Sequence, residues 1–411
     1  MVGNTYPYTI HDWIEDIELA SSQSIDGFIL NVGKEDWQKA RVADCFSAAS
    51  RIHVQFKLML SFDMSSIPAG SPEDIGLICD YFHSFGHDPR MFRFRDKVLV
   101  STFAGENSLP GLLVKESIES IVGSVHFMPS FFIDPALFPR MKCLDGAFNW
   151  NGGWPLHLTH HSPRHKIERC ELDSDKTYLH HLVGSTYMAA VSPWFFTHYG
   201  PDSWNKNWIY HSDDWLFARR WEQLVSMRDQ IDIVQVISWN DYGESHYIGP
   251  IKGAQPNSQA WVDGFSHEPW LYLNRYFATW FKEGHPPKIT KDQIFMWARP
   301  HPKYAHSRES VPRPNNWELV EDKFWVIVFA KEPAKVKLYT DESTRKTQHV
   351  KAGVSKLFLE LEPDKGMRAV MKRNGVIVAE CNPRSFRFSS QPDRQRITLM
   401  PSLQCLGNCT Q

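Results

Sequence analysis

Short apolar runs alternate with longer amphipathic stretches through the first two-thirds of the chain. The runs cover residues 26–32, 56–64, 98–104, 125–132, 145–150, 187–195 and 231–240. Between the first two, the stretch from Trp37 to Ile52 carries Val42, Phe46 and Ala49 at helical spacing. Continuous apolar strands separated by helices imply a parallel sheet covered on both faces, where no polar alternation is needed. These runs give seven strands. An eighth is expected at the start. Met1-Val2-Gly3-Asn4 reads as a strand end, followed by a turn at Thr5-Tyr6-Pro7 and a helix opening at Thr9. Most of that strand would lie upstream of Met1. Eight βα units favour a (β/α)8 TIM barrel over an open doubly wound sheet. No Gly-x-Gly-x-x-Gly follows the first strand, which counts against a dinucleotide fold.

Past about residue 290 the runs become short and mostly alternating: 324–329, 335–339, 356–361 and 369–372. Asn374-Gly375, set between Arg368–Lys372 and Val376–Glu380, is the strongest hairpin signal in the chain. Proline-rich segments at 286–287, 300–302 and 312–314 mark the crossover. The expected architecture is a catalytic barrel over residues 1–288 and a small all-β sandwich over 289–411. Trp325 fits a core position better than a sugar platform. The sandwich itself could bind carbohydrate or brace the barrel.

Composition narrows the partners. A chain of 411 residues is long for one core, which agrees with two domains. Net charge is −2 with no long single-sign run, so a nucleic-acid partner is not expected. No stretch approaches the ~18–20 apolar residues of a membrane span, and a monomer is expected. Aromatic residues make up 13% of the chain, and flat rings with polar edges suit the CH faces of sugars. The seven cysteines form no Cys-x-x-Cys pair, so a zinc or dithiol motif is not supported. Cys405 and Cys409 could pair only in an ordered tail and an oxidising compartment. No basic start followed by an apolar core precedes the fold. The expectation is either a protein not secreted by the usual route or a start that is truncated.

In a TIM barrel, functional side chains gather at the C-terminal strand ends. Those ends hold Asn4, Asn31, Asp63, Glu106, Ser130, Asn149 with Trp150, Ser192 with Trp194, and Asn240-Asp241 with Glu244. Asp26 and Asp145 begin their strands and belong to the bottom face, serving turns or caps. Carboxylates transfer protons, amides bond hydroxyls and rings stack, so this set suits a neutral polyhydroxylated substrate. Asp63 has no basic neighbour in sequence, and reads as a site acid or as the cap of the next segment. Asp241 and Glu244 are three apart and share one site only if the chain turns at Tyr242-Gly243. Gly243 would supply that turn by permitting unusual backbone angles. Glycoside hydrolysis needs one protonated and one ionised carboxyl, and two close carboxyls push their pKa values apart. His246 is a candidate supporting or hydroxyl-binding group. His157, His160, His161 and His165 could suggest a metal, but Pro155 and Pro163 interrupt any helix aligning them, and a solvated loop is expected. No cofactor motif or Gly-x-Ser-x-Gly elbow is present.

At these residues the sequence resembles glycoside hydrolase family 71, the fungal endo-1,3-α-glucanases or mutanases. The matching blocks are residues 1–8, 25–28, 30–33, 56–58, 60–64, 100–106, 191–195, 262–265 and Ser238-Trp-Asn-Asp-Tyr-Gly-Glu-Ser-His-Tyr-Ile-Gly249. The resemblance implies a barrel with a C-terminal β-sandwich and endo-hydrolysis of α-1,3-glucan with inversion. Its biological setting would be wall remodelling, such as septum or ascus-wall breakdown. The implied acidic triad is Asp63, Asp241 and Glu244, with Asp241 and Glu244 as the acid–base pair and Asp63 orienting water or substrate. Inversion would space that pair wider than in a retaining enzyme. Which of the two is the acid stays open. Candidate substrate-binding residues are Asn4, Tyr6, Asn31, Glu106, Trp150, Trp194, Trp239, Asn240 and His246, with no metal and no cofactor. The His- and Arg-rich segment 152–175 departs from the Asp/Asn-rich loop of the family, which bears on outer subsites. The alternatives are a glycan-binding barrel without catalysis and a metal-dependent amidohydrolase barrel. The first would keep the tryptophans and lose a carboxylate; the second would need a His-x-His near Asn4, which is absent.

Overall fold

The computed structural model describes residues 1–391 apart from 69–70, 72–73, 109–110, 169–171, 253–256 and 342–344. Cys170, Cys405 and Cys409 therefore lie outside the described residues. The first strands are β1 (Gly27–Val32), β2 (Lys57–Asp63), the two-residue β3 (Arg93–Phe94), β4 (Lys97–Phe103), β5 (Val125–Phe127) and β6 (Gly146–Asn149). Next come β7 (Thr186–Val191), the short hairpin β8 (Phe196–His198) and β9 (Asn207–Ile209), and β10 (Ile233–Val236). The helices are α1 (Ile10–Ser22), α2 (Gln38–Arg51), α3 (Ile75–Phe85), α4 (Gly111–Val122) and α5 (Arg164–Glu168). They continue with α6 (Ser174–His181), α7 (Leu216–Ser226), α8 (Gln259–Val262) and α9 (Glu268–Glu283).

β1, β2, β4 and β5 pair in parallel, and so do β6, β7 and β10. Backbone bonds from Asp145 to Phe127 at 3.0 Å and from Phe148 to Pro129 at 2.9 Å join the two groups into one curved wall. The interior is filled in layers. Met59, Leu99, Met128, Phe148, Met188 and Ile237, on or just past six successive strands, form one buried cluster. Opposite-face residues such as Leu30, Leu60 and Val100 pack under the helices in a second cluster. Burial on both faces is why the strands read as continuous apolar runs. The result is an α/β barrel. α1 starts where the sequence places it, because Thr9 and Asp12 form a reciprocal capping box.

The start of the chain differs from expectation. Val2–Asn4 form a 3-10 turn rather than a strand end, so the described parallel strands number seven. Among the described residues β1 pairs only with β2, and β10 only with β7. Their free edges face each other across a cavity of about 710 Å³ lined by Phe28, Leu30, Val234, Val236, Trp221 and Asn274. The buried Asn274 amide has no hydrogen-bond partner among the described residues.

Seven further strands follow: β11 (Gln293–Ala298), β12 (Lys323–Ala330), β13 (Ala334–Tyr339), β14 (Arg345–Val350), β15 (Gly353–Glu360), β16 (Arg368–Arg373) and β17 (Val376–Cys381). They make two antiparallel sheets, β11-β12-β15 and β14-β13-β16-β17. Ile294, Phe324, Val326, Val336, Leu338 and Met371 share one core between them. The β16–β17 hairpin turns at Asn374 and Gly375, with φ of 51° and 84°, the left-handed pair that a tight hairpin needs. Alternate residues of β12 face the other way. Trp325, Ile327 and Phe329 join the barrel cluster, and Trp325 meets Trp215 edge to face at 4.9 Å. Trp325 is therefore core. Two buried polar ties reinforce the join: Arg299 pairs with Asp213 at 3% and 2% side-chain exposure, and the Trp297 indole donates to the Asp213 carbonyl at 2.8 Å.

Candidate active site

β10 ends at Val236, and the chain then loops out and returns on itself. The Ser238 N–H donates to the His246 carbonyl at 2.9 Å, Ile248 N–H to Ser238 at 3.0 Å, and Gly249 N–H to Trp239 at 2.9 Å. Tyr242–Glu244 form one turn of 3-10 helix inside this loop. That turn swings Asp241 and Glu244 to the same side, as the shared site requires. Gly243 is needed there for room rather than for its angles. A Cβ at that position would lie 2.1 Å from the Tyr199 hydroxyl, while the left-handed residue is Ser245, at φ 60°.

The two carboxyls have different company. His246, fully buried, places Nε2 3.0 Å from Glu244 Oε2 and 3.9 Å from Asp241 Oδ2. The Ser238 hydroxyl fixes the other face of that ring, 2.9 Å from Nδ1, and accepts the Asp241 N–H at 2.8 Å. Lys206, from the tip of the β8–β9 hairpin, donates to Glu244 Oε1 at 3.1 Å. Burial alone would push Glu244 up. The bond from His246, with the charges of His246 and Lys206, outweighs that and holds it at about 2. Asp241 is displaced upward, first by burial and then by the negative charge of Glu244. The two carboxyls are thus displaced in opposite directions, Asp241 toward holding a proton and Glu244 toward staying ionised. Lys206 is raised by Glu244, Asp241 and Asp63 together, against its own burial, so all three acids act on one ammonium.

Asp63 ends β2 at the same rim. Its Oδ1 accepts the Ser65 hydroxyl at 2.5 Å and the Ser65 N–H at 3.1 Å, so it also shapes the local turn. Asn240 is buried and ties the loop to the start of the chain: it donates to the Met1 carbonyl at 3.1 Å, and Asn4 donates to its carbonyl at 2.9 Å. Asn31 bonds the Ser61 hydroxyl at 3.2 Å at the top of β1. Tyr6 stands 64% exposed at the rim, and Trp150 packs edge to face on Phe103 at 4.8 Å. Glu106 accepts from Phe132 N–H at 3.4 Å. Two tryptophans are held by the structure around them. Trp194 is 1% exposed, between Trp270 and the Arg299 guanidinium. Trp239 packs on Phe28 and donates to the buried Asp16 carboxylate at 2.8 Å. Trp194 is therefore part of the core, while Trp239 is half-buried on the wall of the cavity beside Asn240 and Asp241.

The histidine-rich segment has a short helix from Arg164, just past Pro163, and of its histidines His160 approaches a carboxylate, Glu318, at 3.8 Å. The closer group is Asp241, Glu244 and His246, which bring one donor atom each within 4.8 Å of one another. Such a set can hold a cation. Both Glu244 oxygens are already engaged here, and the Lys206 ammonium supplies positive charge at that place. Lys206, Ser238 and Tyr199 were not foreseen from sequence. The run read as 187–195 stops at Val191, and Tyr199-Gly200-Pro201 was the turn that could have flagged a hairpin beyond it.

The model of glycosyl hydrolase family 71 matches residues 1–398. A glucan endo-1,3-alpha-glucosidase, agn1, of Schizosaccharomyces pombe is 36% identical over 391 residues, 92% of this chain and 88% of that protein. The ascus wall endo-1,3-alpha-glucanase of the same organism is 32% identical over 380 residues, covering 86% and 83%. A Penicillium rubens mutanase is 31% identical over 363 residues, covering 86% and 76%.

Proposed function

The chain belongs to glycosyl hydrolase family 71, and from that premise we propose that it hydrolyses internal α-1,3-glucosidic bonds of fungal cell-wall α-glucan, in wall remodelling such as septum or ascus-wall breakdown. The observation that carries the mechanism is the opposed displacement of Asp241 and Glu244 within one turn. Asp241, kept protonated, donates to the glycosidic oxygen as the C1–O bond breaks. Glu244, kept ionised, takes a proton from the water whose oxygen forms the new bond at C1. Lys206 and His246 hold Glu244 charged and aimed. Asp63, which acts on the same ammonium, orients the water or a sugar hydroxyl. One oxygen of Asp241 and one of Glu244 lie within 4.8 Å of each other, so the two carboxyls serve one site. The same reading treats residues 289 onward as a small β-sandwich that braces the barrel, since Trp325 and the Arg299–Asp213 pair are buried in the join.

The test is product stereochemistry by proton NMR during cleavage of an α-1,3-gluco-oligosaccharide, with Asp241→Asn and Glu244→Gln as controls. The initial product is expected to be the β anomer, and each variant should lose about 10³-fold or more in kcat. A retained α product would recast one of the pair as nucleophile. Near-full turnover in both variants would remove the assignment.

A further inference from the structure

We infer that Trp204 and Tyr6 are two sugar-stacking stations that flank the catalytic loop on opposite sides, so that glucose units are held on both sides of the bond being cut. The inference rests on the function proposed above and adds the path of the substrate. Around the rim, β10 stands between β7 and the cavity that separates it from β1. Trp204 belongs to the β8–β9 hairpin that follows β7, two residues before the Lys206 that grips Glu244. Tyr6 leans on Trp37, in the connection between β1 and α2. Asp241 and Glu244, from the end of β10, therefore sit between the two.

Each ring is presented in the same way. Trp204 is 51% exposed and Tyr6 64% exposed. Each stands edge to face on a second aromatic: Trp204 on Tyr199 at 4.6 Å, and Tyr6 on Trp37 at 5.1 Å. The Trp204 pedestal reaches the chemistry directly, because the Tyr199 hydroxyl lies against Gly243, between the two acids. The hairpin is also pinned at its base. Ile209 N–H donates to Asn315 at 3.0 Å, Asn315 N–H to Asn207 at 3.0 Å, and the Asn207 amide to Pro312 at 2.8 Å. A third exposed aromatic, Tyr304 on Trp317, differs in carrying the Lys303 ammonium 5.4 Å from its ring. Among the described residues no cation lies over Trp204 or Tyr6. An uncovered ring held upright by another suits the apolar CH face of a neutral glucopyranose. Stations on both sides of the acids make an internal bond the natural place to cut.

The experiment compares the wild type with Trp204→Ala, Tyr6→Ala and Trp204→Phe on α-1,3-gluco-oligosaccharides of increasing length, with thermal unfolding to confirm the fold. Each alanine variant should raise KM about tenfold, or ~1.4 kcal/mol. kcat should stay within about threefold of the wild type, the mark of lost binding common to ground and transition states. The two should shift product lengths in opposite directions, and Trp204→Phe should recover most of the loss. Wild-type KM and product lengths in Trp204→Ala, with the fold intact, would overturn the inference even if Tyr6→Ala changed. Should the wild type prefer a different neutral glucan, the linkage reading falls, and the same KM ratios on that glucan still decide the stations.

Discussion

The barrel rim carries two acidic strand ends, and they are built on different plans. At the end of β2, Asp63 finds its partner two residues on, in Ser65. At the end of β10, Glu244 finds one partner in His246 and another in Lys206, 38 residues back along the chain. The first arrangement aims a carboxylate. The second sets its charge, because a buried acid beside an ammonium and an imidazole stays ionised where burial alone would neutralise it. A site that needs one proton donor and one ionised base has to be assembled from distant segments, while a carboxylate that only orients can be finished locally.

Lys206→Met attacks that difference where it is largest. Glu244 would lose a charge that lowers it, so the acidic limb of kcat/KM should move to higher pH. Lys206 also lowers Asp241, so the group that must stay protonated would keep its proton further up, and the alkaline limb should rise too. The rate at the optimum should fall about 10²-fold. Limbs that stay in place would break the comparison. His246→Gln should come next, at about 30-fold in kcat/KM with the acidic limb again moving up, since the amide can still donate but cannot carry charge. Asp63→Asn should cost about tenfold and leave both limbs within a few tenths of a pH unit, because the amide still meets Ser65. Ser65→Ala, read by the same rate assay and by thermal unfolding, should change each least, about twofold in rate and under about 1 kcal/mol. If Ser65→Ala matched Lys206→Met, the division into aiming and charging would fail.

Much of this was legible because the barrel strands are buried on both faces and leave uninterrupted apolar runs. The Thr9–Asp12 cap and the Asn374-Gly375 turn were legible because their chemistry is local. What escaped has a common cause. β14 is an edge strand whose residues 345–349 are largely exposed, so Arg345-Lys-Thr-Gln-His carries no apolar pattern. β11 hid between proline-rich segments, although 294–298 is fully buried. The turn at Tyr242-Gly243 was foreseen, but its reason was not, since the Tyr199 hydroxyl that demands a glycine lies 44 residues earlier. Asp63, Asp241, Glu244 and His246 could be named from strand ends. Lys206 could not, because a single lysine on a hairpin has no spacing to betray it. The buried position of Trp194 shows the converse, in that a strand-end tryptophan can look like a platform and serve as a beam.

The loop beyond β10 is held from a distance as much as from below. β10 is hydrogen-bonded to β7, and the loop that follows carries Asp241 out past the strand. A loop that leaves its sheet is steady only if it is stayed. Its stays include the return of 246–249 onto Ser238 and Trp239, the Trp239 indole on Asp16, the Asn4 amide on Asn240 and the Asn240 amide on the Met1 carbonyl. The position of Asp241 is thus governed by the tension of these lines as well as by the sheet beneath it. Whatever slackens one of them will be felt at that carboxyl before it is felt in the fold.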